Sequence, residues 1–214
     1  MRPPRWKLTL AYGSMYFVWG STYLATKMSV ETIPPAIAMG GRSFVAGCVM
    51  LILAAATGAR RPSPREIACA AVIGLLFFTG NQGLLATAQT RLPSGVAALL
   101  IATTPCFVPL LVWGFGGGRP GARILLGMAI GLGGVGVLVN GGAELGMADP
   151  GYAAITLLAA FSWGLGTVLA TRLPRPPGLM TTAGLQLFFG GSVLLAIGLA
   201  LEPDFPGSVG AVSG

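Results

Sequence analysis

Long runs of apolar residues, separated by short polar or turn-forming stretches, make up most of the chain. Seven runs are long enough to cross about 30 Å of hydrocarbon, which takes around 20 helical residues. They cover residues 8–27, 36–57, 67–87, 94–115, 121–140, 151–171 and 181–201. Because the runs are continuously apolar and do not alternate, they predict helices instead of strands. The pattern therefore predicts an all-α polytopic membrane protein with seven transmembrane helices.

The connections between these runs are short and rich in proline and glycine, as in Pro34-Pro35 and in the stretch from Gly116 to Gly121. Such tight turns place neighbouring helices antiparallel and leave no room for a soluble domain. The composition agrees, since 54% of the residues are hydrophobic and 9% are charged, whereas soluble domains carry roughly 25% charged residues. The lipid bilayer is therefore the expected environment.

The net charge of +7 follows the predicted topology and does not indicate a nucleic-acid partner. Ten of the 13 basic residues fall on one side: Arg2, Arg5, Lys7, Arg60, Arg61, Arg65, Arg119, Arg123, Arg172 and Arg175. Acidic residues dominate the opposite loops: Glu31, Glu144, Asp149, Glu202 and Asp204. Under the positive-inside rule, the N-terminus and the loops near residues 60, 120 and 175 are cytoplasmic. The first run is longer than a cleaved signal peptide and is followed by six more.

Several residues recur at a fixed offset of 144 positions. The pairs are Phe17 with Phe161, Trp19 with Trp163, Gly20 with Gly164, Gly40 with Gly184, Phe44 with Phe188 and Gly47 with Gly191. In the same register, Arg42 is answered by Gln186. A duplication spaced by an odd number of membrane crossings inverts the second copy, which is typical of secondary transporters. Coincidence between two similar apolar helices is the alternative.

The repeat predicts two units, residues 1–148 with five spans and residues 149–214 with two. A second unit of equal length would need three more spans. The sequence therefore predicts a fragment or truncated product of a ten-span protein, and a complete seven-helix protein with a polar tail is the alternative.

Two basic residues are expected near the outer ends of the first two helices. Arg42 lies about two turns into the second span, where burial costs about 2.5–3.5 kcal/mol at mid-bilayer and less toward the interface. Such a residue indicates a ligand, an ion path or a buried partner, although its long side chain could also reach water. Lys27 ends the first span on the same side, so both cations are candidates for a substrate pathway.

Polar amides and tryptophans complete the candidate pathway. Asn81 and Gln82 lie in the third span, where they would orient a polar ligand or form interhelical hydrogen bonds. Trp19 and Trp163 lie in the middle of their spans, where they would line a central cavity or fill core space. Gln186, the counterpart of Arg42, is the remaining candidate.

The fourth span contains residues that predict a kink, and the fifth contains residues that predict close helix packing. Pro105 and Pro109 remove backbone donors, so a kink is expected there, either fixed or flexing during gating. Gly127 and Gly131 form a small-xxx-small face that predicts close packing within one chain or between two copies in a homodimer.

Catalytic and cofactor signatures are missing from the sequence. It has no histidine and no CxxC pair, which excludes an ordinary zinc or haem site. It also lacks a P-loop, a GxSxG elbow and an HExxH pair. We therefore expect no cofactor, no metal and no enzymatic activity. Every Asp and Glu lies in or beside a loop, so a proton relay would need residues beyond these spans, or the protein would be a facilitator.

An ordered set of short motifs carries a family likeness. It comprises Trp19-Gly20-Ser21-Thr22-Tyr23 with Lys27, Arg42-Ser43-Phe44, Asn81 with Ala86 and Ala88, Pro105, and Phe161-Ser162-Trp163-Gly164. This set resembles the EamA-type branch of the drug/metabolite transporter superfamily. The resemblance implies ten helices in two inverted five-helix repeats around a central cavity, and export of amino acids and related metabolites across the bacterial inner membrane.

The leading hypothesis is a secondary transporter in the bacterial inner membrane that exports small metabolites, such as amino acids or their derivatives, by alternating access. Lys27 and Arg42 would attract a carboxylate, the amides would supply polar contacts, and the tryptophans would form apolar walls. The alternative is a seven-helix membrane sensor or scaffold that does not transport.

Overall fold

The computed structural model describes residues 5–141 and 149–201, which form helices and no strand. In chain order the helices are α1 Arg5–Val30, α2 Pro35–Ala56, α3 Pro64–Gln89, α4 Ser94–Gly114, α5 Ala122–Gly141, α6 Pro150–Arg172 and α7 Leu179–Leu201. Within α3, residues Leu75–Gly83 are a π-helix, and α4 is interrupted between Ser94–Ile101 and Thr104–Gly114. Four of the charged residues from which the membrane topology was predicted lie outside the described residues, namely Arg2, Glu144, Glu202 and Asp204.

Five of these helices, α2, α3, α4, α6 and α7, are long and apolar enough to cross a membrane. The apolar stretch of α5, Ala122–Val137, is shorter. Helix α1 has the required length, but its many serines, threonines, tyrosines and glycines lower its hydropathy. The secondary structure of the described residues is therefore all helical, as in a multi-pass membrane protein, and the count of seven crossings stays a prediction.

Helix starts follow from local chemistry. Proline occupies the first turn of α2, α3 and α6, where its missing N–H has no helical partner to lose. Ser63 and Glu66 form a capping box at the start of α3, in which Ser63 N donates to Glu66 Oε2 over 2.6 Å. Asp149 caps α6 by accepting a 2.8 Å hydrogen bond from Gly151 N. The turn residues of the sequence thus set where the helices begin.

The closest helix pair, α2 with α7, is packed through glycines at which an added Cβ atom would be crowded by the facing helix. The pairs are Gly40 with Leu195, Gly47 with Phe188, Gly191 with Phe44, and Gly184 with Leu51. Each step forward along α2 is matched by a step backward along α7, so the two helices are antiparallel. Each contact also has a counterpart at the 144-residue offset, so the interface has approximate two-fold symmetry. On that axis the rings of Phe44 and Phe188 lie 5.4 Å apart.

Helix α3 lies in the middle of the bundle, against both α6 and α7. A Cβ atom at Gly74 would collide with the backbone of Gln186, and one at Gly80 would collide with Ser162 Oγ. Ser162 Oγ donates a 2.8 Å hydrogen bond to the carbonyl of Leu76, and Thr79 Oγ1 donates one of 2.8 Å to the carbonyl of Gly190. The π-helix is thus tied to α6 through its Leu76 carbonyl and to α7 through the Thr79 hydroxyl.

Helices α1 and α5 lie at the periphery. The first half of α1 is exposed, and its second half meets α2, the end of α3 and the start of α4. Space is open around Gly127 and Gly131 of α5, because a Cβ atom added at either position would meet nothing within 4 Å. The close packing predicted for these glycines is thus not made within the described part of the chain, and a homodimer stays a prediction.

Candidate functional site

A cavity of about 960 Å³ lies between α1, α2, α3, α4 and α6. Most of its lining is apolar, with a few polar groups that converge on the space, which is the usual form of a small-molecule site. The predicted residues that line it are Trp19, Arg42, Asn81, Gln82, Pro105, Pro109 and Trp163. Lys27 and Gln186 are not among the lining residues. The structure therefore brings seven of the nine predicted residues around one space.

Arg42 of α2 supplies the positive charge of the cavity. Its Nη2 donates a 2.8 Å hydrogen bond to Oε1 of Gln82, which lies in the π-helix of α3. Gln82 is neutral, and no Asp or Glu lines the cavity within the described residues. The charge of the guanidinium is therefore oriented but not neutralised. A planar fork of donors held in this way suits a carboxylate.

Asn81, the neighbour of Gln82, lines the cavity and also connects two helices. Its side chain is buried, and Nδ2 donates a 2.8 Å hydrogen bond to the carbonyl of Ala159 in α6. The two adjacent amides thus differ in use, since Asn81 ties α3 to α6 and Gln82 orients Arg42. Both amides therefore form the interhelical hydrogen bonds that were one of the two alternatives, and their contact with a ligand stays a prediction.

Aromatic rings form one wall of the cavity. The rings of Trp19 and Trp163 are 6.5 Å apart in an edge-to-face arrangement, and Phe77 lies 4.5 Å from Trp163. These distances between ring centres are typical of favourable aromatic pairs. Trp19 and Trp163 are counterparts at the 144-residue offset, so the second symmetric contact of the molecule lies at the cavity.

Helix α4 is interrupted at Ala102 and Thr103, directly before Pro105. Proline has no N–H for the carbonyl one turn earlier, which belongs to Ile101. Thr104 Oγ1 donates a 2.7 Å hydrogen bond to that carbonyl and so replaces the missing donor. Pro109 lies inside the second segment, which continues past it to Gly114. The break therefore forms beside Pro105, at the level of the cavity.

The two predicted residues outside the cavity have other surroundings. Lys27 Nζ donates a 2.8 Å hydrogen bond to the backbone carbonyl of Gln89 at the end of α3. The backbone of Gln186 packs on Gly74. Both are thus placed between helices.

Several lining residues were not predicted as site residues, although Thr22 and Tyr23 belong to the family motif; the set is Thr22, Tyr23, Thr26, Thr104 and Thr167. A signal for three of them is present in α1. Trp19 and the polar residues at 22, 23 and 26 recur at the spacing of one helix face, so the face that carries Trp19 could have been extended to them.

A bundle of apolar helices around a central cavity with few polar groups is the architecture of a membrane transporter. The chain belongs to the EamA-like transporter family, whose sequence profile matches residues 6–140. This membership confirms the family expected from the motifs.

Several curated relatives are similar over most of the chain. The inner membrane transporter YedA of Escherichia coli strain K12 is 33% identical over 183 residues, which are 85% of this chain and 58% of YedA. Protein PecM of Dickeya dadantii is 29% identical over 188 residues, 87% of this chain and 61% of PecM. The chain thus spans about three fifths of the length of these relatives.

A probable terminal-alkyne amino-acid exporter of Streptantibioticus cattleyicolor is 30% identical over 126 residues, 59% of this chain and 42% of that protein. No solved structure gives a significant match.

Proposed function

We propose that this chain acts in a secondary transporter that exports small carboxylate-bearing metabolites, namely amino acids or their derivatives, by alternating access. The observation that carries the proposal is the Arg42 guanidinium, held by neutral Gln82 and facing a cavity without a lining carboxylate in the described residues. A substrate carboxylate would complete the charge balance of this site. No catalytic role is proposed.

The symmetric contacts support an inverted repeat, with residues 1–148 as the first unit and residues 149–214 as part of the second. Counterparts at the 144-residue offset meet each other in the ring pairs Trp19–Trp163 and Phe44–Phe188. The antiparallel course of α2 and α7 is what inversion requires. In inverted-repeat transporters the substrate lies where the repeats meet, near the bilayer midplane. In this arrangement α1 and α6, which carry the tryptophans, are equivalent helices.

The proposed location is the bacterial inner membrane, with the N-terminus in the cytoplasm. The basic residues near positions 60, 120 and 175 support this orientation through the positive-inside rule. The name of YedA supports the inner membrane, and the name of the Streptantibioticus relative supports amino acids as the substrate class and export as the direction.

Efflux from cells loaded with mixed dipeptides, an internal source of amino acids, tests the proposal. Cells that express this chain and cells with an empty vector are compared, and amino acids are measured outside the cells. Faster release of particular amino acids than from the empty vector supports export. Equal release in both, with membrane insertion verified, would contradict amino acids as the substrate.

The variant Arg42→Ala tests the site itself. We expect at least a tenfold loss of efflux, because truncation removes one charge-assisted contact to the carboxylate. Arg42→Lys should be intermediate, since Lys keeps the charge but not the planar fork. Arg65→Gln removes an exposed charge outside the cavity and serves as the matched control. Full efflux from inserted Arg42→Ala would remove Arg42 from the substrate site.

A further inference from the structure

The last two turns of α1 are fastened to the end of α3 by two hydrogen bonds. Lys27 Nζ donates to the carbonyl of Gln89 over 2.8 Å, and Gln89 Nε2 donates to the carbonyl of Tyr23 over 3.1 Å. Gln89 is completely buried. Its Oε1 accepts no hydrogen bond from the described residues, and a buried acceptor without a partner destabilises the closed arrangement. The contact is therefore specific but suited to release.

The last turn of α6 is fastened to the end of α4 in a similar way. Arg172 Nη1 donates a 2.7 Å hydrogen bond to the carbonyl of Phe115, and Nη2 donates one of 3.3 Å to the carbonyl of Val112. The guanidinium also lies 5.3 Å from the centroid of the Phe115 ring. The final carbonyls of a helix lack helical partners and carry partial negative charge, so a cation from a neighbouring helix binds them well.

These two contacts lie at opposite ends of α4, whose middle part lines the cavity. Gln89 precedes the start of α4, whereas Phe115 follows its end, which is about 30 Å further along the helix. Trp19 and Trp163 meet in between. Counting along the helices, Lys27 lies about 12 Å beyond Trp19 and Arg172 about 14 Å beyond Trp163. At the 144-residue offset, Arg172 is one position from the counterpart of Lys27.

We propose that Lys27 and Arg172 are the latches of two opposite gates, and that each latch must release in turn for the cavity to open to one side. The Lys27 latch closes α1 onto α3, and the Arg172 latch closes α6 onto α4. This inference rests on the alternating-access function proposed above. It assigns Lys27 to the gate and not to the substrate, and it gives Arg172 a role in the transport cycle. Both are positioning residues.

The test is the side from which a cysteine in the cavity can be labelled. In a chain with Cys48, Cys69 and Cys106 replaced by alanine, Ala102→Cys places a thiol on the cavity wall. Right-side-out and inside-out vesicles are treated with a membrane-impermeant maleimide. Lys27→Met should raise the labelling rate about tenfold from one side, and Arg172→Met should raise it similarly from the other, because each removes a charge-assisted contact.

Matched variants separate the latches from general charge effects. Lys27→Arg and Arg172→Lys keep a cationic donor and should label like the parent chain. Arg91→Gln and Arg175→Gln each remove an exposed charge close to one of the two latches and should also leave labelling unchanged. Increased labelling from the same side in both methionine variants, or no increase in either, would overturn the proposal.

Labelling needs no transported substrate, so the two proposals can fail separately. Sided labelling without efflux would contradict the proposed export but preserve the gates. Efflux with unchanged labelling would contradict the gates alone.

Discussion

The contact between α2 and α7 should not tolerate one added methyl group at Gly47. A Cβ atom there would lie 2.5 Å from the backbone N of Phe188 and 2.8 Å from its Cα. Non-bonded heavy atoms prefer about 3.5–4.0 Å, so the two helices must separate by roughly 1 Å in Gly47→Ala. The colliding atoms belong to the backbone and cannot rotate away. We expect a loss of about 3 kcal/mol in the free energy of unfolding, the upper end for overpacked sites.

The neighbouring variant Gly41→Ala is the matched control. It lies in the same helix, and a Cβ atom there meets nothing within 4 Å. Alanine is favoured over glycine inside a helix by about 0.5–1 kcal/mol, so this variant should be as stable as the parent or slightly more so. The free energy of unfolding is measured by denaturant titration in detergent micelles, followed by tryptophan fluorescence.

The symmetry of the interface gives a second comparison. Gly191→Ala should lose about as much stability as Gly47→Ala, because its Cβ atom would lie 2.5 Å from the backbone N of Phe44. The double variant should lose less than the two effects added, since one separation of the helices relieves both collisions. If Gly47→Ala unfolds like Gly41→Ala, the reasoning about this interface is wrong.

Two further variants test the site region. Asn81→Leu should lower the free energy of unfolding by about 1 kcal/mol, because it loses the hydrogen bond to Ala159; an unchanged value in the same titration would contradict a structural role for this amide. Pro105→Ala restores the backbone donor for the Ile101 carbonyl, so α4 should become continuous and export should slow. Spin labels at positions 98 and 108 would then move apart, and an unchanged distance would show that the proline does not maintain the break.

Hydropathy was sufficient to locate the helices, since each predicted span ends within three residues of a helix end. Burial in hydrocarbon demands long apolar helices whatever their partners are. The consequence of Pro105 was also accessible, because a missing N–H acts on a carbonyl one turn away. The predicted spans placed Trp19 and Trp163 at mid-span, and the repeat marked them as counterparts.

The rest depends on contacts between distant parts of the chain. The π-helix of α3 packs on Ser162 and Gly190, which lie more than 80 residues further along. The partner of Lys27 is a backbone carbonyl. Because every residue has such a carbonyl, the sequence does not show which one is the partner. Gln186 matched Arg42 in register, but its place is decided by the close approach of α7 to Gly74. Neither propensity nor hydropathy contains this information.

The π-helical stretch also means that the two ends of α3 are out of ordinary register with each other. A π-turn holds one more residue than an α-turn, and each residue of an α-helix turns the chain by about 100°. If the stretch from Leu75 to Gly83 closed into an ordinary α-helix with all its residues kept, the extra residue would rotate one end of α3 by about that angle. Gln82 would then leave the side that meets Arg42, although no cavity residue had been exchanged. The wider turn of this stretch is therefore as much a part of the site as the identity of its residues.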